Sequence, residues 1–546
     1  MSVDEAVAAV EALLAQERLN DLQESIVRQA WEQRSYPEMA AQLGYAPSYV
    51  KYVAFQLWRQ LSEALGERVT KSNFQAALRR WQARSGQTAW GRRDRAQWAA
   101  ADVPAFYGRE TELAALDRWI LTERCRAVAL LGLGGTGKTA LAAKWLETAS
   151  AAFDRVAWRS LAGQPSVEML LADLCAQLGD RRRLPSEGAQ QLARLLALLQ
   201  QQRCLLVLDG AEAILAARSA AAPGCPAGHY ASGCERYADL LQQLAESSHQ
   251  SCLLLASREK PKEIAALEGE ALPVRSLLLG GLAPTPAQAV VQDKGRLRGT
   301  QTEWTTLVQR CGGNPLALKL AATTVRDVFE GDLSAFLAEG TLIFGDIKAL
   351  LDQHFERLSR LEQELAYWLA INRAPVALTE LQGEILSNLR FARLLEGMES
   401  LERRCWIRHV AAEAAPTGEP GCLTLQPLLR DYVTDRLIEQ AVHEIACGEA
   451  ALLHRYALIV PDAPAAIRQQ QLNALLAPVS EQLLQALGTP LNVKSQLERV
   501  LGQLDARSPL GVGYAAENAL NVLHQLNFDL SVREVCELAP PQVCPT

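Results

Sequence analysis

Apolar residues change their spacing several times along this chain, and each change marks a different kind of element. A first helix runs to about Arg18, and a second places Leu22, Ile26, Ala30 and Trp31 on one face. The run SYPEMAAQLGYAPSYVKYVAFQLWRQL then predicts a short helix, a tight turn at Gly44-Tyr45 and a longer helix with Pro47 in its first turn. Val50, Val53, Leu57 and Leu61 recur at helical spacing along that longer helix, with Lys51, Gln56 and Arg59 off the stripe. This is helix-turn-helix spacing, assigned to residues 1–81. Residues 82–104 lose the pattern and read as a linker. From 105 to 282, candidate strands at 126–131, 155–160, 203–208, 251–256 and 272–279 alternate with helices, which argues a parallel sheet with helices on both faces. The Gly/Pro-rich stretch from Ala216 to Ser232 reads as an excursion from that sheet. Residues 283–340 read as a small helical domain. Residues 341–440 read as helices followed by a β-like piece at Cys422–Leu425, and 441–546 as a helical carboxyl-terminal region. The fold class is therefore multidomain, α and α/β.

Composition narrows the setting. A chain of 546 residues exceeds one core, and 21% charged against 49% hydrophobic residues is an ordinary globular balance. A net charge of −7 gives no overall basic field to draw the protein onto nucleic acid. Twelve cysteines scattered from Cys125 to Cys544 form no dense framework, so reduced thiols and a cytoplasmic location are expected. The acidic, amphipathic start reads as neither a secretion signal nor a transit peptide, and no uncharged apolar run is long enough to span a membrane.

The chemistry concentrates in GLGGTGKT, residues 132–139, which fits the phosphate-loop pattern G-x-x-x-x-G-K-[ST] at every fixed position. The apolar run Ala127–Leu131 precedes it and a helix-like stretch from Ala140 follows, the strand–loop–helix setting the motif needs. Gly132, Gly134, Gly135, Thr136, Gly137 and Ala140 would wrap a phosphate with backbone N–H groups. Lys138 would reach the outer phosphates and Thr139 would set its hydroxyl on Mg2+. Asp209 ends the apolar run CLLVLD and is placed as the second magnesium group, with Glu212 three residues on to orient a water. Arg258 ends CLLLASR, at the strand end where ligands bind in such sheets, and reads as a sensor of the terminal phosphate.

These residues carry a family resemblance. Phe106-Tyr107-Gly108-Arg109-Glu110 resembles the segment that precedes the phosphate loop in STAND ATPases of the NB-ARC type. CGGNPLALKL at 311–320 resembles their G-x-P-L-A-L motif, and LVLDGAE and LLLASRE resemble their magnesium and first-sensor strands. The resemblance runs over residues 106–435 and implies an α/β nucleotide domain, a helical domain and a winged helix. It implies that Tyr107, Gly108 and Arg109 lie against adenine and ribose and that Pro315 packs on the base. ATP or ADP with Mg2+ would then be the ligand, turned over slowly if at all. Two departures stand out. Asp209 is followed by Gly210 where the family often has a second acid. The family's Met-His-Asp histidine, which contacts the ADP phosphate, falls at Leu425-Gln426-Pro427, so Gln426 is the expected phosphate contact, through an amide.

Residues 1–81 resemble the helix-turn-helix domain at the front of some bacterial, especially cyanobacterial, NB-ARC proteins and of proteins associated with vWA–MoxR systems. Relatives commonly continue into WD-type or tetratricopeptide repeats. None is visible before Thr546, so a shortened member or a separate sensor protein is expected. The resemblance implies a switch that exchanges ADP for ATP, forms a homo-oligomer and presents residues 1–81 to an effector protein. Two other readings stay open. DNA could be the partner of 1–81, motivated by the basic run Arg68, Lys71, Arg79, Arg80, Arg84, Arg92, Arg93 and Arg95. The chain could also be a scaffold that does not hydrolyse, motivated by Gly210 and Gln426. Cys225, His229 and Cys234 lack paired ligand spacing and read as part of the excursion rather than a metal site.

Overall fold

Three helices carry the amino-terminal stripe in the computed structural model: α1 (Asp21–Trp31), α2 (Tyr36–Leu43) and α3 (Pro47–Leu65). Their apolar faces meet in a core of Ile26, Ala30, Met39, Val50, Ala54, Leu57 and Leu61. Trp58 seals it, stacking on Phe74 at 4.8 Å while its indole N–H donates to the Tyr36 hydroxyl at 2.9 Å. This unit, Met1–Trp98, is separate from Ala99–Thr546. Described residues are 7, 10, 21–31, 34, 36–43, 47–65, 69–71, 73–75, 77–78, 103, 105–180, 188–216, 227–339, 343, 345–385, 389–410, 421–449, 451–502 and 513–528. The turn at Gly44-Tyr45, Cys225 and every arginine of the basic run lie outside them, as does most of the linker.

The larger unit is built on five parallel strands, β1 (Ala127–Leu131), β2 (Arg155–Ser160), β3 (Cys204–Asp209), β4 (Cys252–Ser257) and β5 (Val274–Leu278), in the order β2-β3-β4-β1-β5. Each lies within one or two residues of its sequence-predicted run. Central β1, β3 and β4 are almost wholly buried, which is why they read as unbroken apolar runs, whereas the edge strands β2 and β5 carry arginines. Helices α4 (Glu110–Leu116), α5 (Lys138–Ala149), α6 (Val167–Gln177), α7 (Gly188–Gln201), α8 (Tyr237–Glu246) and α9 (Lys262–Leu267) surround the sheet. The order places β4 between β1 and β3, so the loop after β1, Asp209 after β3 and Arg258 after β4 share one end of the sheet.

Helices α10 (Pro284–Gln292), α11 (Gln301–Arg310), α12 (Pro315–Val328) and α13 (Leu333–Ala338) follow. Next come α14 (Gly345–Glu356), α15 (Arg360–Asn372), α16 (Leu378–Glu384) and α17 (Phe391–Arg403), then an antiparallel hairpin of β6 (Ile407–Val410) and β7 (Cys422–Leu425). The β-like piece thus has a partner strand, and Val376 bridges to Leu423 beside it. Helices with a small hairpin are the build of a winged helix. α18 (Pro427–Cys447), α19 (Ala451–Arg455), α20 (Ala465–Gln471), α21 (Ala477–Leu487), α22 (Pro490–Gly502) and α23 (Ala515–Gln525) follow.

Two cores interlock. The helical half shares one continuous apolar cluster, which takes in Leu133 of the phosphate loop. The sheet has its own cluster, which takes in Cys405 from the segment before β6. Each half thus lends a residue to the other beside the loop. Gly281 and Gly312 approach so closely that a Cβ on Gly281 would lie 1.9 Å from the Gly312 carbonyl, so only glycine allows this seam between sheet and helices. No described helix is long and apolar enough to cross a membrane, and none of the described cysteines is in a disulfide.

Candidate functional site

The loop between β1 and α5 is shaped by its glycines. Gly132, Gly135 and Gly137 have φ of 152°, 81° and 92°, where a side chain would be strained. Its carbonyls are all turned onto protein. Gly132 and Leu133 accept from Lys138 Nζ at 2.8 and 3.0 Å. Gly134 accepts from Asn314 Nδ2 at 2.9 Å and Gly135 from the Leu316 N–H at 3.3 Å. Asn314 also caps α12, accepting from the Leu316 and Ala317 N–H groups, so one side chain starts that helix and holds the loop.

Lys138 is 9% exposed, and burial lowers its pKa. Among the described residues it makes no ion pair; two carbonyls hold it. A buried ammonium whose hydrogen-bond partners are both neutral carbonyls fits an anion that completes its coordination. Thr139 donates its hydroxyl to Asp209, 3.0 and 3.1 Å from the two carboxylate oxygens. Burial raises the Asp209 pKa, and the Thr139 hydrogen bond opposes that rise. A hydroxyl and a carboxylate side by side are the hard oxygen donors that suit Mg2+.

Around these groups lies a cavity of about 500 Å³. Its apolar wall is Phe106, Tyr107, Leu282, Val290, Pro315 and Leu316, and its polar end is the loop with Asp209, Glu212 and Arg258. One end is suited to a flat ring and the other to phosphates. The structure thus brings Tyr107, Arg109, Gly134, Gly135, Thr136, Gly137, Lys138, Thr139, Ala140, Asp209, Glu212, Arg258 and Pro315 to one cavity.

Several of them stand otherwise than the sequence reading placed them. Arg109 is 8% exposed, and its guanidinium braces the protein: it donates to the Thr136 and Gly280 carbonyls at 3.1 and 2.7 Å and pairs with Glu112 at 2.7 Å. Gly108, with φ of 67°, packs against Pro286 behind the wall. Glu212 and Arg258 hold each other, Nε to Oε1 at 2.9 Å, and the Arg258 N–H donates to Glu212 Oε2 at 3.1 Å. Gly132 is outside the cavity lining, and its carbonyl accepts from Lys138 Nζ. Gln426 is outside the cavity lining: it stands at the N-cap position of α18 without a side-chain cap, and its amide donates to the Cys405 carbonyl at 2.6 Å.

Two features had no sequence signal. His354 of α14 meets the loop from the far side, and its Nε2 accepts the Gly134 N–H at 3.3 Å. Below it lies a buried ion network. Glu259 Oε1 accepts from Arg357 at 2.7 Å and Arg404 at 2.6 Å, and Arg404 also donates to Glu362 at 2.8 Å. Glu362 takes the Ser400 hydroxyl at 2.6 Å and closes the capping box of α15 with Ser359. Arg258 and Glu259, adjacent in sequence, thus face the cavity and the α14–α17 helices respectively.

Parts of the chain are similar to known proteins. Residues 1–81 match the family described as vWA-MoxR associated protein N-terminal HTH, and residues 109–211 match the NB-ARC domain. An uncharacterized WD repeat-containing protein of Nostoc sp. is 39% identical over 490 residues, covering 81% of this chain and 37% of that protein. The chain thus spans little more than a third of that relative's length. Among solved structures, a Walker-type ATPase of Pyrococcus abyssi aligns at 14% identity with a TM-score of 0.41, covering 60% of this chain and 96% of that one. The FIGL-1 AAA domain in complex with ADP aligns at 16% identity with a TM-score of 0.27, covering 46% and 87%. By the two family matches, the chain carries an NB-ARC domain at 109–211 behind an amino-terminal helix-turn-helix at 1–81.

Proposed function

We propose that this NB-ARC protein is a signalling switch governed by ATP and ADP, with residues 1–81 as its output. The observation that carries the proposal is Lys138, a buried cation held by carbonyls alone at the polar end of a cavity whose other end is apolar. When bound, the nucleotide supplies a phosphoanhydride that water can cleave with Mg2+ neutralising its charge. The loop amides and Lys138 would bind phosphate oxygens, and Thr139 with Asp209 would hold the metal. Tyr107 and Pro315 would lie at the base. Tyr107 is tethered by its hydroxyl to Asp293 at 2.9 Å, so two modules contribute to one wall. A ligand contacting both modules biases how they sit together, which is how a switch reads its occupant.

The winged-helix segment closes this arrangement through His354, Arg357 and Arg404. Its release would free protomers to assemble and cluster their helix-turn-helix units. On α3, Lys51, Phe55 and Arg59 are exposed at successive four-residue steps, and Phe55 is 64% exposed. Such a face suits either an effector protein or DNA. The third reading, a scaffold that does not hydrolyse, draws on the Glu212–Arg258 pair, which ties up the group expected to orient water.

The test is calorimetric titration of the full chain with ADP and with a slow ATP analogue, each with Mg2+. Wild type should bind. Lys138→Ala should weaken binding at least a hundredfold, because the cation at the centre of the phosphate contacts is gone. Full affinity in that variant, or no heat from wild type with either nucleotide, would overturn the reading.

A further inference from the structure

His354 lies 220 residues from the loop it touches. It is 6% exposed. Its Nε2 receives the Gly134 N–H at 3.3 Å and stands 3.4 Å from Arg258 Nη1. Both neighbours are donors with no lone pair to offer, so Nε2 carries the bare lone pair and the ring is neutral. Its surroundings agree: burial first, and then Arg258, Lys138 and Arg357, disfavour a positive charge there. Contact with the loop is tight. A Cβ on Gly134 would lie 2.8 Å from this nitrogen and 3.1 Å from Leu350, one helical turn earlier.

A backbone N–H, a guanidinium and a nearby ammonium are the donors that a terminal phosphate oxygen requires. Here a neutral imidazole engages the first two. We propose that His354 competes with the third phosphate for the Gly134 N–H and Arg258, making it the residue that discriminates diphosphate from triphosphate. With α14 in place these donors are engaged, so a diphosphate is accepted and a triphosphate must displace the imidazole. Displacement moves more than one ring. Arg357, one residue past the end of α14, donates to Glu259 at 2.7 Å and to the Glu212 carbonyl at 3.1 Å. The preference and the hold of the winged-helix segment therefore rise and fall together. This inference rests on the nucleotide reading given above.

The experiment measures dissociation constants of the full chain for fluorescent ADP and for a fluorescent slow ATP analogue. Wild type should prefer ADP. His354→Leu keeps volume and removes the acceptor. It should cut the preference about tenfold, mainly by tightening the analogue, with ADP affinity changed little. His354→Asn restores an acceptor and should recover part of the preference. Leu350→Ala loosens the same contact but keeps the acceptor, and by that coupling should lower the ratio by less than His354→Leu does. An unchanged ratio in both His354 variants, or an equal loosening of both nucleotides, overturns the proposal. So does a wild type that binds both nucleotides alike, which still leaves the nucleotide reading standing. A wild type that binds neither removes that reading as well.

Discussion

Replacing Glu259 by glutamine should open the winged-helix segment locally. Glu259 is 3% exposed and sits between two arginines, of which Arg404 is equally buried. Four groups form the network, Arg357, Arg404, Glu259 and Glu362, and their charges cancel. Glutamine keeps the shape and one acceptor oxygen but leaves a net positive charge out of water. Two charge-assisted hydrogen bonds become ordinary ones, each losing roughly 1.5 kcal/mol, so about 3 kcal/mol is expected in total. At about 1.4 kcal/mol per factor of ten, that is about a hundredfold in a local opening equilibrium. Hydrogen exchange read by mass spectrometry suits this multidomain chain, because it reports each segment separately. Amides of α14, α15 and α17 should exchange about a hundredfold faster, while those of β1 and β3 stay as in wild type. Arg357→Met combined with Glu259→Gln should lose about 1–2 kcal/mol less than the two single losses summed, since the partners are in contact. Exchange within threefold of wild type in Glu259→Gln would refute the idea that this network clasps the segment.

Acid should act through His354, whose pKa is pushed down to about 3 by burial first and then by Arg258, Lys138 and Arg357. Its reference value is near 6.5, so the open form binds more protons between pH 6.5 and 3, and closure weakens as pH falls through that window. At pH 5.5 the loss is about 1.4 kcal/mol. Asp435 and Glu384, pushed up to about 6 and 7 by burial, act in the opposite sense and weaken the fold as pH rises. The quantity to measure is therefore the difference in α14 exchange between wild type and His354→Leu across pH 5 to 7.5. Parallel profiles would exclude the histidine. Asn314→Ala removes the cap of α12 and the hold on the Gly134 carbonyl together, and should lower stability by about 1–2 kcal/mol in thermal unfolding. Retention of the wild-type transition would mean that the cap contributes nothing.

Much of this was legible in the residues themselves. Buried parallel strands need apolar side chains on both faces, so CLLVLD and CLLLAS announced themselves as runs, and a loop that wraps phosphate must spend glycines at fixed places. What escaped was long-range contact between ordinary residue types. His354 is one histidine on an amphipathic helix, and nothing in DQHFERL says that it meets Gly134. Arg357, Arg404 and Glu259 come from three separate places and share no spacing. Gln426 falls at the motif position from which the sequence predicts a phosphate contact. Side-chain geometry instead sends its amide to the Cys405 carbonyl, and it is α14 that reaches the loop. The sequence predicts for Glu212 and Arg258 a task each toward the ligand, yet opposite charges at adjacent strand ends first satisfy one another.

The outward-turned carbonyls of residues 132–135 have a kinetic consequence. With Lys138, Asn314 and the Leu316 amide already holding them, the loop is preorganised, and an arriving anion need not freeze a floppy segment. Little ordering entropy is then lost on capture, and the slow event in any turnover of occupants becomes the parting of the surrounding walls.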